Sequence, residues 1–120
     1  MTIGANAVSL DVTQIGDSII KLALKGRLDT PGVDSVETRF VASLVPIGKH
    51  AIVDLSGVEF IASMGIRMLI SVARSLKQRH AAFVLYAAQP LVQETLDHVA
   101  ISEVIPVVAD ETAAIASVSS

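Results

Sequence analysis

Apolar and polar residues alternate partially over Val8–Ile15 and more clearly over Ser18–Leu28, where Ile20, Leu22, Leu24 and Leu28 share one parity. A period of two on either side of Gly16-Asp17 predicts an antiparallel hairpin with a tight turn. The period then lengthens. Asp29-Thr30-Pro31 predicts a helix start, with Thr30 as N-cap and Pro31 at the first helical position. Val33, Val36, Phe40 and Leu44 follow at helical spacing until Pro46-Ile47-Gly48 ends the element. Ala51–Leu55 is a short apolar run closed by Asp54 and Ser56, which predicts a buried central strand and then a loop through Phe60. A second helix is expected from about Met64 to Arg79, with Ser63 as its N-cap. Ala82–Ala87 predicts another buried strand. Gln89-Pro90 opens a third helix with Val92, Leu96 and Val99 inward, and Val104–Val108 a last short strand. Asp110 is placed to cap a final helix carrying Ala113, Ala114 and Ile115, with 117–120 frayed.

Strands alternating with helices after a hairpin predict an α/β class with a mixed sheet of four to five strands and about four helices. The 120 residues fit one domain over 1–120 with a core over about 8–116, and no internal repeat interrupts it. At 52% hydrophobic and 18% charged, the chain is expected to fold around a packed core. Aromatics at 3% and a net charge of −3 argue against a nucleic-acid partner, which needs stacking platforms or cations for phosphates. With no cysteine, thiol catalysis, disulfides and zinc knuckles are excluded. The longest apolar run, Ala81–Ala88, is far short of the ~20 residues that cross a bilayer, and no secretory h-region follows Met1. A cytoplasmic location without a membrane partner is the expectation.

Little in the sequence points to catalysis. His50, His80 and His98 sit at element edges without metal-ligand spacing, and phosphate-loop, dinucleotide, zincin and nucleophile-elbow patterns are all missing. A hydrolase using Ser63 has no adjacent base to support it. No catalytic residue, metal or cofactor is therefore assigned. The second helix is the more informative element. Ile66, Leu69, Ile70, Ala73 and Leu76 cluster on the face expected to meet the sheet. Met64 and Met68 fall opposite, beside Ser71 and Ser75, with Arg67 at the border. Methionines on a solvent face suit a deformable docking surface.

The run Asp54-Leu55-Ser56, then Val58, Phe60, Ser63 and Gly65, resembles the STAS domain, the family of sulphate transporters and anti-sigma-factor antagonists. The similarity extends from about Val8 to Ala116 in element order, including Leu28-Asp29-Thr30 before the first helix, and is closer to the free-standing antagonist. The resemblance implies a mixed sheet with helices packed mainly on one face. It also implies a partner, an anti-sigma factor that is a serine kinase and that releases a sigma factor when bound. That kinase would phosphorylate Ser63, and a serine phosphatase would reverse it. The implied partner-binding residues are Asp29, Thr30, Ala62, Ser63, Met64, Gly65, Arg67 and Met68; self-association is left open. Three positions depart from the family pattern: Ala62 where an acidic residue is common, Met64 where Ser or Thr is frequent, and Arg67 in place of a small residue. The alternative is a STAS-type scaffold or ligand-sensing module that is not phosphorylated.

Overall fold

The hairpin forms where the alternation places it. In a computed structural model that describes residues 8–119, β1 (Ser9–Ile15) pairs antiparallel with β2 (Ile19–Leu28), Ile15 facing Ile19 across a turn in which Gly16 adopts φ +61°. Glycine takes that left-handed conformation at the least cost. The rest of the sheet is parallel: β3 (His50–Ile61), β4 (Phe83–Tyr86) and β5 (Val107–Val108) follow in the order β1-β2-β3-β4-β5. Four helices connect and flank it: α1 (Thr30–Leu44), α2 (Ser63–Gln78), α3 (Pro90–His98) and α4 (Glu111–Ser119), with a 3₁₀ turn at Ile101–Glu103. This is the mixed five-stranded α/β sheet that the alternation of elements predicts.

The sheet has two unequal faces. Leu22, Leu24, Val53 and Leu85 point to one, where Val33, Val36, Phe40 and Leu44 of α1 pack with α2 and α3 into the main core. Phe40 meets Phe83 there edge to face, centroids 6.4 Å apart. On the other face a small cluster of Ile19, Ile52, Val84 and Tyr86 is covered by Ala114 and Val118 of α4. His50 is structural, its Nδ1 accepting the Ala82 N–H at 2.9 Å.

Several elements differ from the expectation. The N-cap of α1 is Asp29, whose Oδ1 accepts the Gly32 N–H at 2.9 Å, so Thr30 is already helical. The stretch read as a loop through Phe60 is strand: β3 continues to Ile61 alongside β2. Register shifts between Ala23 and Lys25 and between Gly26 and Arg27 break the alternation there. Asp54 Oδ1 accepts the Ser56 N–H at 2.8 Å, so the turn-like residues serve a bulge that keeps the strand going. The last strand is only Val107–Val108, and Val99 lies past α3 at 49% exposure instead of inward. Asp110 does cap α4, accepting the Ala113 N–H at 2.9 Å. That helix runs on to Ser119, held by buried Val118, where fraying was expected from 117; Ser120 lies outside the described residues.

Candidate functional site

Leu28 is paired with Ile61, so the chain leaves β2 at Asp29-Thr30 beside the point where it leaves β3 at Ala62-Ser63. The Ala62 N–H donates to the Leu28 carbonyl at 2.9 Å and ties the two exits together. Both helices that start here sit unusually close to the end of β2. A Cβ on Gly65 would lie 2.8 Å from Ile61 Cγ1 and 3.0 Å from the Leu28 carbonyl oxygen, and one on Gly32 would collide with the Arg27 carbonyl. Glycine at these positions lets α1 and α2 dock end-on against the carboxyl edge of the sheet. That edge is where open α/β sheets place their ligands.

Around this seat, Asp29 holds α1 and also faces Arg27, whose Nε is 3.5 Å from its Oδ2. The Arg27 guanidinium lies over the Phe60 ring, 4.4 Å from its centroid, so the β2–α1 corner is braced. Thr30 is exposed next to it. Ser63 is the first residue of α2 and is exposed, and the N-cap is Ala62, which contributes no side-chain hydrogen bond. The expected capping role of Ser63 is therefore not seen. Its hydroxyl stands at the edge of a helix start that has neither a capping side chain nor an acidic residue in the first turn.

The docking face expected on α2 is rotated. Met68 is 2% exposed and Gly65 is buried, while Met64 is half-buried against the main core. Ile70, expected to face the sheet, is only half-buried. The cause is a second neighbour: α2 packs against α1 as well as on the sheet, so its buried arc is centred nearer Gly65, Leu69, Val72 and Leu76. Of the eight residues singled out as contacts, Asp29, Thr30, Ala62, Ser63 and Arg67 reach one surface with Met64 at its margin, and Gly65 and Met68 support it from beneath.

Alongside α2 runs a groove of about 670 Å³, with Ser63 at one end and Gln78 at the other. Ile66, Ile70 and Val99 give it an apolar side, and Arg67 and Arg74 are its charged residues. The sequence reading missed Ile70, Arg74 and the α3 contribution of Thr95 and Val99. The recurrence of Ser63, Arg67 and Arg74 along one exposed stripe was the signal that could have found them. The displaced pKa values lie elsewhere, on the α4 side of the sheet. Burial pushes the Tyr86 hydroxyl above its ordinary range, aided by its bond to Glu111. Hydrogen bonds from Lys21 and Tyr86 hold the Glu111 carboxyl below the usual range, and the bond to Glu111 raises Lys21. Among the described residues no group of three or more metal-ligating side chains comes together, and no helix is long and apolar enough to cross a membrane.

Comparison with known proteins fits this arrangement. The family described as the STAS domain matches residues 10–114. The Bordetella bronchiseptica protein BtrV, which carries the name of an anti-sigma factor antagonist, is 25% identical over 101 residues, covering 84% of this chain and 87% of BtrV. Among solved structures, an anti-sigma factor antagonist from Mycobacterium paratuberculosis superposes with a TM-score of 0.86 at 19% identity, covering 96% of this chain and 97% of that one. A Thermotoga maritima protein described in the same terms gives 0.83 at 15% identity, covering 91% and 93%. At these identities the structural likeness speaks for the fold.

Proposed function

The chain belongs to the STAS domain family, and from that premise we propose that it is an anti-sigma-factor antagonist whose binding is switched off by phosphorylation of Ser63. The partner is an anti-sigma factor with serine kinase activity, which the domain binds so that a sigma factor is released; a serine phosphatase resets it. The observation that carries the reading is the exposed Ser63 hydroxyl at the start of α2, beside the points where the chain leaves β2 and β3 and at the end of the groove. In the transfer, Ser63 Oγ takes the γ-phosphoryl group of ATP, its proton passes to a base on the kinase, and ADP leaves. The domain is then substrate and ligand, with no catalytic residue of its own.

Phosphate adds about −1.5 to −2 charge. At the start of α2 it meets free N–H groups and the positive end of the helix dipole, worth roughly 0.3–1 kcal/mol. The fold is therefore expected to survive modification. A partner that buries the same position must desolvate that charge, at a cost of several kcal/mol. A loss of ~3–4 kcal/mol is a factor of several hundred in affinity.

The test is intact mass and site mapping after incubation with the serine-kinase anti-sigma factors of the same genome and ATP. One phosphate on Ser63, none on Ser63→Ala, and weakened binding with an unchanged circular dichroism spectrum is the expected result. A kinase response that persists in Ser63→Ala sinks the assignment of that serine. A second reading, a STAS-type ligand-sensing module that is not phosphorylated, draws on Ala62 in place of an acidic residue and on a groove in the volume range of small-molecule sites. A ligand that co-purifies, with no kinase taking the chain as substrate, is the result that favours it.

A further inference from the structure

We infer that the groove between α2 and α3 receives an acidic, amphipathic segment of the anti-sigma factor, apolar side chains against Ile66, Ile70 and Val99 and carboxylates on Arg67 and Arg74. The inference rests on the antagonist reading and adds the chemistry of the partner. Its first support is shape. Ser63 and Gln78 both line the groove, so it follows α2 for about 22 Å at the helical rise per residue. A groove of that length takes a row of side chains from an elongated segment.

The second support is charge. The chain carries a net charge of −3, yet the groove is lined by two arginines and no carboxylate. Glu94 and Glu103 line neighbouring depressions, which share Thr95 and Val99, and Arg74, respectively, with the groove. Among the described residues, Arg67 and Arg74 are exposed and take part in neither of the ion pairs, Lys21–Glu111 and Arg27–Asp29. Seven residues apart, they stand two helical turns from each other on one side of α2, about 10 Å along its axis. Carboxylates at the matching spacing would meet both.

Position links the groove to the switch. Ser63 and Arg67 are four residues apart, the spacing at which helix side chains meet. A phosphate on Ser63 and a carboxylate of the incoming segment therefore compete for one guanidinium, and the modified groove repels what the unmodified one attracts.

The experiment is a titration, without ATP, of the same genome's serine-kinase anti-sigma factors against the wild-type chain, Arg74→Glu, Arg67→Glu and Arg74→Lys. Arg74→Glu is expected to weaken binding by about tenfold or more, since like charges facing across an interface cost several kcal/mol. Arg74→Lys, which keeps the charge, should stay within about threefold. The gap between wild type and Arg74→Glu should shrink as salt rises from about 0.05 M to about 0.5 M, where screening shortens to a few ångströms. Arg74 is solvent-exposed, so matched urea midpoints will show that the variants fold. If the wild type binds and Arg74→Glu and Arg67→Glu bind within twofold of it with flat salt dependence, the acidic segment is wrong while the antagonist reading stands. If no such anti-sigma factor binds the wild type, the antagonist reading itself falls and takes the segment with it.

Discussion

Ser63 and Gly65 are two residues apart and do opposite things. The serine points into solvent, while the glycine faces Leu28 and Ile61 and fixes where the serine stands. That division was only half legible. The motif picks out both positions, but nothing in the sequence says that Gly65 matters through a close approach to the backbone where β2 ends. The geometry makes it testable. Gly65→Ala forces a Cβ to within 3.0 Å of the Leu28 carbonyl oxygen, which cannot rotate away as a flexible side-chain end would. Overpacking of this kind costs about 1–3 kcal/mol, against which better helix propensity returns at most ~1 kcal/mol. Stability by urea unfolding is expected to fall by up to about 2 kcal/mol, with Ser63 phosphorylated more slowly because its seat has moved. Wild-type stability and wild-type kinetics together would show that Gly65 does not position Ser63.

At the scale of elements, helix and strand existence follows from the pattern, and what a second neighbour does to an element does not. The α1 stripe of Val33, Val36, Phe40 and Leu44 is buried as its spacing predicts, because α1 has one apolar arc and spends it on one core. For α2 the same arithmetic gives a face that includes Ile70 and leaves Met68 outside, whereas contact with α1 draws Met68 and Val72 inward and leaves Ile70 half-exposed. Periodicity fixes the width of an apolar arc better than its centre when two elements compete for it. In β3 the obstacle is different: bulges between Asp54 and Gly57 and between Val58 and Phe60 interrupt a period of two in a strand that continues. The reassigned methionine separates the two pictures of α2. Met68→Ala removes a fully buried side chain and is expected to lower stability by about 2–5 kcal/mol. A surface docking methionine would instead lower affinity and leave the urea midpoint in place.

Across the whole molecule, the sheet separates two tasks. The carboxyl edge and the α1–α2–α3 side hold the candidate site, and α4 seals the far side over Ile52 and Val84. Glu111 fastens the start of α4 to the sheet, 2.6 Å from Lys21 Nζ and 3.0 Å from the Tyr86 hydroxyl that donates to it. These bonds favour the carboxylate, so the folded pKa of Glu111 is below the ordinary value near 4.3. The linkage then has a definite sign. The contribution is complete above about pH 4.3 and disappears as pH falls through the lower folded value. Lys21 behaves in the mirror sense, its raised pKa keeping the contribution below about pH 10.4 and losing it as pH climbs through the folded value. The pair is half open to solvent, so its worth at neutral pH is about 0.2–1 kcal/mol. Glu111→Gln keeps an acceptor for Tyr86 and removes only the charge. Its urea midpoint is expected below wild type at pH 7, with the gap closing as acid protonates the wild-type carboxylate, while Ser63 phosphorylation proceeds at the wild-type rate. A gap that stays constant down to pH 2 would mean that the carboxylate's charge does not fasten α4. A slowed phosphorylation would mean that the two faces of the sheet are coupled after all.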